Sequence, residues 1–515
     1  MRVFVRILLL VAGVLSLGLG AAVAHAYWPS PLPPQQRVEP AAPLLIDRVT
    51  VVDVETGALT PDQSVLITDG RIVEIAPADQ IGQRPGLRRI EASGQFLVPG
   101  YNNMHSHILT RDHPEGGLAL MLAEGVTGFR QMDGDDRLLR LRSESRLPLN
   151  ADTPALLATS GPFVTPLNVA SPEDAAAWVI SQKRKGADFI KVGATTPPLL
   201  YAMLATARDQ SIPVVGHLPE GVDPVRASED GFHSIEHLGP GDTVWIGCSA
   251  DKARLMADAE QHPSVAAPPF PIPGFARKLL EPFVKRALGR QLLNPAAFDK
   301  PEDVQRLQAA FDSYQPEQCR ALAQTFARND TWVVPTLVRL RTQYLQDDPE
   351  YRTDPLIPYL EPRTYRAWTD VAERFAALPQ TSRQTFREGY ERSLALTALL
   401  ADADVSMMTG TDGSYHAPGL TMAQEFHELA RAGLSPLKIL QMTTRDPARF
   451  LGRTDTMGSV TVGKAADLVL LSDNPLTDVA HLERITGVIR AGHYHSSDDL
   501  ARLKDRIAAG HGRLE

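Results

Sequence analysis

The chain has 515 residues, 43% of them hydrophobic and 22% charged, with a formal net charge of −9 at pH 7. That length suits a large barrel-sized domain with a smaller one beside it, and the composition is that of a globular protein. The acidic balance, with no Lys/Arg-rich run, argues against nucleic acid as a partner.

Arg2 and Arg6 precede an apolar stretch that begins at Ile7, and Ala24-His25-Ala26 gives a small-x-small cleavage site before Tyr27. Residues 1–26 therefore read as a secretory signal, and the protein as exported, periplasmic or secreted, with no stable membrane insertion after cleavage. An N-terminal membrane anchor stays open as the alternative, because Ile7 to Ala24 lies near the short limit for a span. Pro29, Pro31, Pro33, Pro34, Pro40 and Pro43 make residues 27–43 an extended tether.

Short β-like runs follow at 44–54, 64–68 and 72–76. Asp69-Gly70 between the last two is a strong hairpin signal. From about residue 96, strands alternate with helices. Ser171-Pro172-Glu173-Asp174 starts a helix with an N-cap, a proline at the first helical position and acids in the first turn. Gly186 closes that helix, 189–192 follows as a strand, and a helix near 198–210 leads into 212–215. Repeated alternation implies an α/β fold with a parallel sheet closed as a (β/α)8 barrel over residues 99–450. β signals return at 466–471 and 488–491. Residues 44–98 and 451–496 are thus expected to build one small composite β-sandwich from both chain ends, with 497–515 a C-terminal helix or tail.

Two stretches break the rhythm. One, 240–330, contains Pro268-Pro269-Phe270-Pro271-Ile272-Pro273-Gly274; the other, 343–400, is charged and helix-like. Each reads either as a lid over the barrel mouth or as a surface embellishment or dimer contact. A homo-oligomer is left open. Cys248 and Cys319 either pair or remain incidental thiols.

Six residues stand out because each follows a short apolar run: His105, His107, Lys191, His217, His237 and Asp412. The runs are Phe96-Leu97-Val98, Phe189-Ile190, Val214-Val215, Ile235 and residues 405–408. Strand C-terminal ends are where catalytic groups converge in a barrel. In an extended segment His105 and His107 point to one side. A lysine in an apolar strand needs a reason, since burying an unpaired ammonium is costly. Either it snorkels or pairs with a carboxylate, or it takes up carbon dioxide to become an anionic carbamate ligand. His233 competes with His237, but only His237 lies beyond Ile235 at the strand end. Imidazoles and a carboxylate suit zinc or a similar divalent ion. With two such ions about 3.5–4 Å apart, a shared water loses its proton near neutral pH. Asp412 is placed to accept that proton and pass it to a leaving amine. Tyr415 and His416, on the loop after Asp412, and Arg339 are candidate substrate contacts, with exposed loop positions as the plainer reading.

These motifs resemble the amidohydrolase superfamily, in the imidazolonepropionase-related branch that includes Xaa-Pro dipeptidase-like enzymes. The resemblance rests on Val98-Pro99-Gly100 with His105-Ser106-His107, Gly125-Val126-Thr127, Phe189-Ile190-Lys191-Val192, Val215-Gly216-His217, Ser234-Ile235-Glu236-His237 and the run from Val460 to Val469. It spans about residues 44 to 492. It implies a distorted (β/α)8 barrel with a β-sandwich and a binuclear centre. On it His105, His107 and Asp412 would hold one metal, His217 and His237 the other, and carboxylated Lys191 would bridge them. Tyr101-Asn102-Asn103 departs from the usual apolar-apolar-acid run before the histidine pair. Phe163-Val164-Thr165-Pro166-Leu167-Asn168 replaces a glycine-rich, histidine-containing loop, which puts dipeptidase activity in question.

The expected function is a metal-dependent hydrolase cleaving a C–N amide bond in a small molecule, of dipeptide or N-acyl amino acid type. Opening of a cyclic amide or deamination on the same fold is the alternative, and a non-catalytic ligand-binding barrel the third.

Overall fold

The computed structural model describes residues 41–82, 86–111, 113–239, 241–262, 289–413 and 415–512. The expected signal segment 1–26, the tether as far as residue 40, the proline run 268–274 and residues 513–515 lie outside the described residues. No described helix is long and apolar enough to cross a membrane.

Five strands come first: β1 (Leu44–Val52), β2 (Leu59–Thr68), β3 (Arg71–Pro77), β4 (Arg88–Glu91) and β5 (Phe96–Pro99). Asp69 and Gly70, both with positive φ (50° and 71°), make the tight turn between β2 and β3, as a two-residue hairpin requires. The barrel follows, with β6 (Tyr101–Ser106), β7 (Val126–Gln131), β8 (Ala155–Thr159), β9 (Ile190–Val192), β10 (Val214–Gly216), β11 (Phe232–Glu236) and β12 (Trp332–Val334). β13 (Leu468–Leu471), β14 (Ile485–Arg490) and β15 (His493–Ser496) end the sheet elements, and the helix Ser497–Ala509 follows them.

Parallel pairing runs β6-β7-β8 and β9-β10-β11-β12. The bridge Ser160↔Phe189 joins the two sets. The eighth stave is irregular. Residues 405–413 bridge Val333 to Met407 and Ser106 to Gly413, with Met104 N–H donating to the Thr409 carbonyl at 2.9 Å and Met408 N–H to the Val333 carbonyl at 3.0 Å. These links close an eight-stave ring, a distorted (β/α)8 barrel.

Strands from the two chain ends share one eight-stranded sheet, in the order β15-β14-β13-β5-β1-β2-β3 with β4 on β1. Alternation along β13 divides its duties. Leu468 and Leu470 pack with Leu44, Ile46, Val65 and Leu97 in the sheet's own core, whereas Val469 and Leu471 join the large barrel core. Period-two patterning of this kind is what a strand between two apolar layers needs.

Two sequence expectations change here. Phe96-Leu97-Val98 belongs to β5 of the composite sheet, and the stave that carries His105 is the separate strand Tyr101-Asn102-Asn103-Met104-His105-Ser106. Its polarity is satisfied internally: Asn102 donates to the Thr443 carbonyl at 2.9 Å, and Asn103 donates to Thr411 Oγ1 at 3.0 Å. The two long stretches are also only partly insertions. Helix Pro316–Arg328 runs directly into β12, and helix Gln380–Asp402 directly into the closing stave, so each serves as a barrel helix. Cys248 and Cys319, both buried, form a disulfide across the first stretch.

Candidate metal centre

The stave ends bring the sequence-selected residues together. His105 lies on β6 and His107 just beyond it, Lys191 on β9, His217 after β10, His237 after β11 and Asp412 at the C-terminal end of the eighth stave. Asp412 Oδ1 lies 3.2 Å from His105 Nε2 and 2.9 Å from His107 Nε2, and the two imidazole nitrogens are 3.3 Å apart. These three ligand atoms form the group able to hold a metal ion among the described residues. His237 Nε2 faces Asp412 Oδ2 at 3.8 Å. The His217 ring centre is 5.1 Å from that of His237, which is itself 4.5 Å from His105. His233 is turned elsewhere, stacked on Phe450 with ring centres 4.9 Å apart.

Two backbone features make room for this convergence. Gly216 has φ +131°, and a Cβ there would stand 2.3 Å from the Val192 carbonyl oxygen and 3.1 Å from Lys191 Cδ. A Cβ on Gly410 would stand 2.7 Å from His105 Cβ. Side chains at either position would push on ligand-bearing strands. Asn103 completes the support: its Oδ1 accepts from His105 N–H at 3.1 Å and from Thr411 N–H at 3.2 Å. The amide that replaces the usual acid thus ties the first stave to the Asp412 loop.

Lys191 is 4% exposed, and its Nζ has no hydrogen-bond partner among the described residues. Burial brings its amine down to about 8, so the neutral form is accessible near physiological pH. His107 is pulled down to about 4, chiefly by burial, and His217 and His237 fall well below the usual imidazole value for the same reason. Burial alone would raise the Asp412 carboxyl, but the neighbouring imidazoles of His237, His105 and His107 outweigh it and hold it well below the usual range. Neutral imidazoles at His107, His217 and His237 and an ionised Asp412 are the protonation states that metal ligands require.

Sequence reasoning missed two members of this neighbourhood. Glu236, inside a motif quoted only for His237, accepts from His105 Nδ1 at 2.6 Å, from Arg130 Nη2 at 2.8 Å and from Ser234 Oγ at 2.8 Å. Burial would raise this carboxyl, yet Arg130 and His105 outweigh it and hold it at about 2. Arg130 was legible by the logic applied to Lys191, as a charge within the otherwise uncharged strand Val126–Gln131.

The substrate candidates separate. Arg339 Nε donates toward Asp412 Oδ2 at 3.0 Å, while its other nitrogens bind the Leu293 and Leu292 carbonyls at 2.7 and 2.8 Å. All three of its guanidinium nitrogens are thus engaged. His416 is half-buried, with Arg111 Nη2 3.0 Å from its Nε2. Tyr415 points away from the centre, its hydroxyl donating to Glu124 at 2.7 Å within an apolar surround. The loop after Pro162 lies along β9, with Val164 N–H donating to the Lys191 carbonyl at 2.8 Å.

The strand ends of this barrel thus gather imidazoles, a carboxylate and an amine, and the imidazoles and carboxylate are donor types that suit a divalent ion. Residues 378–494 of the chain match the family model described as Amidohydrolase family. Among curated proteins it is similar to an adenine deaminase of Paracoccus denitrificans (strain Pd 1222), 29% identical over 139 residues, which is 23% of either chain. The matched regions make up only 23% to 34% of the curated relatives' lengths. Among solved structures it is similar to a bottromycin amidohydrolase, with TM-score 0.64, 21% identity, and 96% of this chain and 94% of that one covered. It is also similar to a Xaa-Pro dipeptidase with bound methionine in its active site, with TM-score 0.57, 17% identity and 88% and 100% covered.

Proposed function

We propose that this protein is an exported, binuclear metal-dependent amidohydrolase that cleaves an amide bond in a dipeptide or N-acyl amino acid. The observation that carries the reading is the buried Lys191 amine, which has no hydrogen-bond partner among the described residues and lies beside His217, His237 and Asp412. An unpaired buried ammonium is costly; a carbamate on Lys191 turns the orphaned group into an anionic oxygen ligand. His105, His107 and Asp412 would hold one ion and His217 and His237 the other, with Lys191 between them. Two divalent ions, zinc by the character of these donors, would polarise the scissile carbonyl and bring a water's pKa toward neutrality. Asp412 takes the proton of the attacking water at its carboxylate and returns it to the leaving amine nitrogen. Of the three substrate candidates, His416, on the loop after Asp412 with Arg111 Nη2 3.0 Å from its Nε2, is the one assigned to meet a substrate carboxylate or carbonyl. The Cys248–Cys319 disulfide supports an oxidising compartment.

The reading expects two zinc equivalents per chain by elemental analysis, and turnover of N-acyl amino acids or dipeptides that chelation abolishes. Active enzyme without bound metal defeats it. The likeness to an adenine deaminase favours a second reading, deamination or cyclic-amide opening at a single ion. Activity that survives Lys191→Ala with one metal bound would select that reaction.

A further inference from the structure

Arg130 and Glu236 form an ion pair with neither side chain exposed at all. Burying such a pair is a poor route to stability, because desolvation offsets much of the attraction. What sets this pair apart is what else it holds. Glu236 Oε1 takes Arg130 and Ser234, and Oε2 takes His105 Nδ1 at 2.6 Å. Arg130 Nε donates to the carbonyl of Met104 at 2.6 Å, so one guanidinium fixes both the carboxylate and the backbone next to His105.

A carboxylate only accepts hydrogen bonds, so a neutral His105 facing Glu236 carries its proton on Nδ1 and leaves its Nε2 lone pair bare. Nε2 is the atom facing Asp412 and His107. His237 reaches the same state by a neutral route. The Thr336 hydroxyl donates to the Pro335 carbonyl at 2.8 Å, which leaves its oxygen to accept from His237 Nδ1 at 2.6 Å. Of these two imidazoles, His105 is the one with the charged relay, where a full carboxylate makes the imidazole a stronger donor to a cation.

We propose that Glu236, braced by Arg130, is a positioning residue that fixes the His105 tautomer and sets how tightly the His105–His107–Asp412 side of the site retains its metal. The inference rests on the metal reading of the function given above.

The test compares full-length wild-type protein, Glu236→Gln and Ser234→Ala after zinc loading, by elemental analysis and by competition with a chromophoric chelator. In Glu236→Gln the amide can present an N–H to Nδ1 and move the ring proton to Nε2. Wild type is expected to hold two ions. Glu236→Gln should keep one, with affinity for the other weakened about 10–100-fold. Ser234→Ala, which removes a hydrogen bond to Glu236 without touching His105, should keep both. The double change Arg130→Met/Glu236→Gln leaves no unpaired buried ion and should lose the same metal, so a folding defect in the single variant does not decide the matter. Two ions held with wild-type affinity in either folded variant overturn the inference alone. Wild-type protein that binds no zinc overturns the functional reading together with it.

Discussion

The interior of the composite sheet and the interior of the barrel mouth are equally buried and chemically opposite. Around β13 the sheet encloses Leu44, Ile46, Val65, Leu97, Leu468 and Leu470, a set that hydrophobic burial explains in full. Across the barrel mouth lie Lys191, Glu236, His105 and Arg130, all at most 4% exposed. Packing alone would place apolar residues there, since charges are rarely fully buried unless paired. One interior holds the molecule together; the other is maintained at a cost to stability, which points to chemistry.

The contrast predicts separable effects. The largest is expected at the mouth: Asp412→Asn should lower turnover about 10²–10⁴-fold with little change in melting temperature. Equal losses of activity and stability would erase the distinction. Leu470→Ala should act in reverse, destabilising by about 2–5 kcal/mol in denaturant titration while zinc stoichiometry stays at the wild-type value. Replacing both Cys248 and Cys319 by alanine should cost about 2–4 kcal/mol and likewise leave the zinc content alone. The smallest effect sharpens the account of Lys191. Its amine is depressed to about 8, so the neutral, reactive form falls about tenfold for each pH unit below that value. At fixed dissolved carbon dioxide, zinc-dependent activation of metal-free protein should therefore slow by that factor per unit from pH 8 downward. A rate flat between pH 6 and 8 would argue against carbamate formation as the activating step.

Much of this was legible in the sequence where one residue breaks a local pattern. The hairpin turn at Asp69-Gly70, the cap at Ser171 and the polar residues at the ends of five staves could be read because each contrasts with its neighbours. His237 was separable from His233 by its place beyond Ile235. The first stave was harder. Phe96-Leu97-Val98 carries the apolar signature, whereas the true stave is polar and held by Thr411 and Thr443, more than three hundred positions away. Glu236 was hidden for a related reason: its partners Arg130 and His105 come from other strands, and no local spacing encodes a pairing made by barrel closure. The directions of Tyr415 and Arg339 depended on Glu124 and on the Leu292 and Leu293 carbonyls, which only the assembled loops supply.

Arg339 gives the peripheral segment a hold on the centre. With one nitrogen on Asp412 and two on backbone carbonyls of a segment that the eight-stave ring does not itself require, it turns any shift of that segment into a change in the electrostatic load on the candidate base. Reshaping the mouth to suit another substrate and retuning the proton acceptor are then a single evolutionary variable, so relatives that differ in this stretch should differ in their pH optima as well as in what they cleave.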